Sequence, residues 1–207
     1  MLEFTIMKAK YLALDCEMGG IGLETSLLTV CIDKLDKDLK KIDRLYLKLK
    51  PDNGLYTVTG KGMEINGINL GAHDADPQTL TYKKAATSIY QYLDSEGRRK
   101  TEDKYLIIGH QVKGDVNHIC DKTISNNSWQ EYCSYRLLDT SVIANFFIQN
   151  DLITLSEEFG NSGSLGNLAK HFGVGEQPKA GHDAGDDVDL TVAVYKKLCT
   201  VLKLSIV

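Results

Sequence analysis

The run Lys10-Tyr11-Leu12-Ala13-Leu14-Asp15-Cys16-Glu17 constrains this chain more than any other stretch. Its apolar half reads as a strand bound for the interior of a sheet, and its far end delivers two acids two residues apart. Strand side chains alternate between faces, so Asp15 and Glu17 project the same way. A carboxylate at the end of a buried strand is costly, and a second beside it raises the cost. Either the strand reaches solvent at Asp15, or a divalent cation offsets both charges, since hard cations favour carboxylate oxygens.

Residues 27–33 and 42–49 also read as strands, the latter alternating apolar and polar as a strand with one wet face does. Three strands in succession with short polar connections predict an antiparallel meander, with residues 34–41 as a charged, solvated hairpin turn. Residues 50–80 hold two of the three prolines and several glycines, which predicts loop with a short helix. Tyr82, Ala85, Ala86, Ile89, Tyr90 and Leu93 follow helical spacing. Residues 96–104 read as a charged surface loop. Short strands are expected at 105–109 and 136–139, and helices at 115–122, 140–149 and 165–172. A last helix over roughly 183–203 carries its stripe on Ala184, Val188, Thr191, Val192, Tyr195, Leu198, Cys199 and Leu202. The order predicts an α/β fold, a mixed sheet flanked by helices, as a single domain over residues 1–207.

Two further segments put acids at the rims of apolar elements. Gly109-His110 closes an apolar strand, and Asp115 follows where a helix should begin. Near the C-terminus stands Gly181-His182-Asp183-Ala184-Gly185-Asp186-Asp187. With a helix starting near Asp183, Asp187 falls beside the buried stripe of Thr191, Val194 and Leu198, and His182 sits just before the first turn. Helix capping accounts for Asp183 and Asp186. It gives no reason for His182.

The five cysteines, Cys16, Cys31, Cys120, Cys133 and Cys199, form no Cys-x-x-Cys pair, and an odd count argues against a disulfide framework. A zinc site from His110, His118, Cys120 and Cys133 matches none of the usual ligand spacings. No apolar run approaches the ~18 residues that span a bilayer, and Met1 to Phe4 lack the start of a secretory signal. The expected location is cytoplasmic. A net charge of −4 counts mildly against a polyanionic partner, unless bound cations turn an acidic pocket into a phosphate site.

Taken together, the segments Ala13-Leu-Asp15-Cys-Glu17-Met18, Ile108-Gly-His-Gln-Val-Lys-Gly-Asp115 and His182-x-Ala184-x-x-Asp187 resemble, in order and spacing, the DEDDh exonucleases of the DnaQ-like (RNase T-like) group. Leu138-Asp139-Thr140, the stretch from Ser164 to Val174, and Glu64-Ile-Asn-Gly-Ile68 look like that group's connecting segments. The resemblance runs from about Tyr11 to Leu202. It implies a ribonuclease H-like mixed five-stranded sheet flanked by helices, and 3′→5′ hydrolysis of terminal phosphodiesters by a two-metal mechanism. Carried over residue by residue, Asp15, Glu17, Asp115 and Asp187 would hold two ions, Mg²⁺ or Mn²⁺, and His182 would be the base. Met18, Gly19, Asn66 and His110 are the candidate substrate contacts. The chain departs from the group's pattern at His110, Gly114, Asn66 and Asp183, all outside the five catalytic positions.

The implied partner is the 3′ end of single-stranded RNA or DNA, the Asp-Cys-Glu-Met run leaning towards RNA, with 5′-mononucleotides as product. Two other readings stand beside it: a proofreading DNA exonuclease associated with a polymerase, and a catalytically silent nucleic-acid-binding scaffold of the same fold. Five filled catalytic positions speak against the silent scaffold. No membrane and no disulfide partner is expected.

Overall fold

The structure, a computed structural model, describes residues 9–97, 103–156 and 163–205. The N-terminal segment and most of the charged loop expected at 96–104 therefore lie outside the described residues. Three strands open the chain: β1 (Tyr11–Met18), β2 (Leu27–Leu35) and β3 (Lys41–Lys50). They pair antiparallel in sequence order, the meander that three successive strands with short polar connections predict. β5 (Tyr105–Gly109) lies parallel to β1, and β6 (Cys133–Asp139) parallel to β5. A two-residue strand, β4 (Leu80–Thr81), adds parallel to the far edge beside β3. The sheet order is β4-β3-β2-β1-β5-β6, six strands rather than the five expected. Two residues carry no detectable alternation, and only the backbone ladder reveals β4.

Residues 50–80 are loop with two short helices where one was expected. They contain α1 (Gly60–Asn66), capped by Thr59, and α2 (Leu70–Ala75), capped by Asn69. Each side chain accepts from the N–H three residues on, which stabilises turns too short to show an apolar stripe. The remaining helices are α3 (Tyr82–Asp94), α4 (Lys113–Lys122), α5 (Asn126–Tyr132), α6 (Thr140–Gln149), α7 (Leu165–Phe172) and α8 (Ala184–Ser205). The sequence pattern misses α5, whose polar surface hides two anchors, Trp129 and Tyr132. The 34–41 turn is only partly solvated: β2 runs on to Leu35 and Lys34 is buried. Its ammonium donates to Tyr92 O at 2.7 Å and Ser95 Oγ at 2.6 Å, with Glu96 at 3.6 Å. A buried charge with such partners is stable where a bare one is not.

The sheet separates two apolar layers. Leu12, Leu14 and Cys16 point to one face, packed with Ile89 and Leu93 of α3 and Val116 and Ile119 of α4. Ala13 and Ile108 point to the other, against Ala184, Val188 and Val192 of α8. Asp15 and Glu17 share the parity of Ala13, so they face the layer that α8 covers. A third cluster joins α6, α7 and α8 through Phe147, Leu168, Val194 and Leu198. No disulfide joins the five cysteines, and among the described residues no helix is long and apolar enough to cross a membrane.

Candidate functional site

The register of β1 against β5 runs only from Tyr11↔Leu106 to Ala13↔Ile108. Past that point β5 ends at Gly109 and the chain turns away, leaving Asp15 and Glu17 at the lip of a crevice. Ends of parallel strands are where open α/β sheets bind ligands. The turn is tight: a Cβ on Gly109 would stand 2.4 Å from the Val112 side chain. Gln111 adopts φ 56°, a left-handed conformation that side chains resist. Asp139 holds this turn, accepting from Gln111 N at 3.0 Å while capping α6 through Ser141 N at 2.9 Å. That double duty is a physical reason for the Leu138-Asp139-Thr140 segment.

Asp115, 5% exposed, sits in the first turn of α4. Burial pushes its carboxyl well above the usual range, and the Glu17 charge adds to this. Asp15 is pushed up in the same direction by burial, then by Asp115, Asp187 and Glu17. Glu17 is raised to about 8 by burial, then by Asp187 and Asp183.

The fourth acid arrives from α8. Asp183 caps this helix, accepting from Gly185 N at 2.8 Å, and receives the Tyr46 hydroxyl at 2.8 Å. One turn on, Asp187 is buried beside Thr191, Val194 and Leu198, as the stripe predicts. His182 precedes the helix. Gly181 N and His182 N both donate to Ile65 O, at 2.8 and 3.3 Å, so α1 is the shelf on which the histidine rests. Its Nδ1 lies 3.4 Å from Asp187 Oδ2. Gln177 donates to the same Oδ2 at 2.7 Å and lies 3.4 Å from the ring nitrogen. Burial raises Asp187, and the Gln177 bond and His182 oppose that rise.

Among the described residues, Glu17, His182 and Asp187 can place one ligand atom each within 4.8 Å of one another. The zinc set His110, His118, Cys120 and Cys133 is not brought together: His118 bonds Gly114 O and Gly22 O, and His110 bonds Thr140. Four carboxyls pushed upward by burial and by neighbouring acids fit a site completed by hard cations, which would relieve the repulsion and favour the ionised forms.

Asp15, Glu17, Asp115, His182 and Asp187 all line one cavity of about 790 Å³. Of the candidate substrate contacts, Met18 and His110 line it too, and Gly19 and Asn66 are not among its lining residues. Asn66 is buried, donating to Met18 O at 3.0 Å and accepting from Ile68 N at 2.9 Å, so both ends of its amide serve the backbone. Gly19 O is taken by Thr59. The Thr140 hydroxyl donates to Gly109 O, so His110 Nδ1 carries the proton in its bond to Thr140. Nε2 is then an acceptor, with no partner among the described residues, on a ring whose pKa burial lowers.

Sequence reasoning did not place Gln177, His118, Lys61 or Ile21 in this cavity. Gln177 and His118 have no motif of their own. Lys61 reads as a surface charge paired with Glu64. Ile21 is wholly exposed, and its flanking glycines were the available signal, since a Gly-Gly-Ile-Gly run cannot be core strand.

No model of a known protein family and no curated protein matches the chain by the comparisons made. Solved structures do. Escherichia coli exonuclease I in complex with a dT13 oligonucleotide superposes with a TM-score of 0.72 at 21% identity, over 96% of this chain and 43% of that one. The Neurospora crassa Pan2 catalytic unit, a protease and nuclease domain, gives 0.61 at 15% identity, over 99% and 29%. The Saccharomyces cerevisiae Pan2 pseudoubiquitin hydrolase–RNA exonuclease module in complex with AAGGA RNA gives 0.58 at 14%, over 98% and 31%. The chain spans less than half the length of these matched chains. It shares their fold, a mixed sheet flanked by helices.

Proposed function

We propose that this chain, built on the ribonuclease H-like fold of the DnaQ-like exonucleases, is a metal-dependent 3′→5′ exonuclease. Its substrate is the 3′ end of single-stranded nucleic acid, with RNA slightly favoured, and its product is the 5′-mononucleotide. The observation that carries this reading is the convergence of Asp15, Glu17, Asp115, His182 and Asp187 on one cavity from three separate segments. The 207 residues act as one exonuclease domain, and a cytoplasmic location follows the same reading.

Asp15, Glu17, Asp115 and Asp187 would hold Mg²⁺ or Mn²⁺, two ions per site. When bound, such cations stabilise the charge that builds on the phosphate oxygens. His182 accepts the proton of the attacking water, through the ring nitrogen that carries no proton of its own. With its proton on Nδ1, facing Asp187 Oδ2, the ring keeps Nε2 for the water, and Gln177 acts on it through the carboxylate that it holds. The phosphorus–oxygen bond to the 3′ oxygen then breaks, that oxygen takes a proton from solvent to become the shortened strand's 3′ hydroxyl, and the water's oxygen stays on the released 5′-nucleotide. Lys61 brings a cation to the cavity, and Ile21 presents an apolar face against which a base can pack. Met18 and the His110 acceptor are the remaining substrate contacts.

The test is matched single-stranded RNA and DNA oligomers, labelled at the 5′ end and incubated with Mg²⁺ or Mn²⁺. The expected result is a ladder shortening from the 3′ end, faster for RNA. Immediate release of the labelled nucleotide, or internal cuts, contradicts the reading.

A further inference from the structure

Ile21 owes its position to a short loop between β1 and β2. Gly19 N donates to Ser26 O and Thr25 N to Gly22 O, and the Thr25 hydroxyl reaches Gly20 O and Gly22 O. Space is tight beneath: a Cβ on Gly62 would come within 2.4 Å of Gly19 O. The loop is thus folded closely on itself and on α1, with Ile21 outermost.

One tie comes from elsewhere. His118 is 2% exposed and lies on α4, one turn beyond Asp115, and it lines the same cavity. Its Nε2 stands 3.1 Å from Gly22 O and its Nδ1 3.1 Å from Gly114 O. Both partners are carbonyl oxygens, so a ring nitrogen can bond either one only as an N–H donor, and the neutral tautomer with its proton on Nε2 makes the bond to Gly22 O. Gly114 O lies on the same helix, and a bond to it fixes only the ring. The bond to Gly22 O crosses 96 residues and joins the loop to the helix that carries Asp115.

We propose that His118 is a positioning residue: by donating to Gly22 O it fixes the height of Ile21 over the carboxylates, and so the fit of the last bases of the strand. This rests on the exonuclease reading. A change of side-chain donor at position 118 therefore alters how a strand end is held and leaves the hydrolytic groups in place.

The test compares a single-stranded oligonucleotide with an aryl ester of a single 5′-nucleotide, which has no second base. His118→Phe removes the donor, His118→Gln keeps one, and Ile21→Ala is an exposed change with little bearing on folding. His118→Phe is expected to lower kcat/KM on the oligonucleotide about ten-fold, mostly through KM, and to leave the ester within about two-fold. His118→Gln should restore part of the loss, and the Ile21→Ala/His118→Phe pair should be no worse than the worse single variant. Equal loss on both substrates, additive losses in the pair, or wild-type kinetics for His118→Phe overturns the assignment. A wild-type protein inert on both substrates overturns the exonuclease reading instead.

Discussion

Gln177 donates from Nε2 to Asp187 Oδ2 at 2.7 Å while lying 3.4 Å from His182 Nδ1, so one amide braces both a buried acid and the histidine beside it. A hydrogen bond to a charged acceptor contributes roughly 1.5–3 kcal/mol. Gln177→Leu should therefore lower kcat by about ten-fold or more, with KM little changed. It should also raise the Asp187 pKa, because the bond that favours the ionised form is gone. Steady-state kinetics decide: an unchanged kcat makes Gln177 a packing residue only.

His182 belongs to the cluster of candidate ligands and is also the proposed base. The two roles separate by measurement. His182→Ala should cost on the order of 10²–10⁴ in rate, while Mn²⁺ affinity by calorimetry stays close to wild type. Rate and affinity falling together would make the histidine a ligand.

Stability of the metal-free protein should fall as pH rises. Glu17 ionises near 4.5 when unfolded and is held up to about 8 when folded. Between those values the folded state binds more protons than the unfolded state, so the stability present below about 4.5 is lost as pH climbs through about 8. Asp15 and Asp115 are shifted in the same direction. Thermal melts in chelator from pH 5 to 8.5 should show a declining Tm, and added Mn²⁺ should reverse much of it. A Tm that rises over this range contradicts the electrostatics described here.

The strand end should be read by the pocket rather than by a long basic groove, given a net charge of −4. A 3′-phosphate adds charge beside four carboxyls and should block hydrolysis. Paired ends must fray before the last base can enter, so blunt duplexes should be cut at least several-fold more slowly than single strands. Equal rates on all three substrates would remove the pocket as the reader of the end.

The acids were legible because each ends an apolar element, where a charge needs a reason. Asp15 and Glu17 follow Leu-Ala-Leu, and Asp187 sits in the stripe of α8. The meander was legible too, since three apolar strands follow one another with short polar connections. β4 was not, because two residues have no period, nor was α5, whose Trp129 and Tyr132 are buried from a polar sequence. Asn66 was placed against substrate, yet its amide is spent on Met18 O and Ile68 N. Gln177 and His118 act through side-chain hydrogen bonds, to Asp187 and to Gly22 O, which leave no periodic trace in a sequence.

The central claim is that these acids form a cation-dependent hydrolytic centre, and Asp15→Asn tests it most directly. The substitution removes one of four mutually repelling carboxyls, so the metal-free variant should melt at or above the wild-type temperature. A 5′-labelled single-stranded 20-mer with Mg²⁺ should then give a 3′→5′ ladder with wild-type protein. The folded variant should give none, and neither should wild-type protein in excess chelator. A full ladder from Asp15→Asn, or from wild-type protein in chelator, would contradict the account.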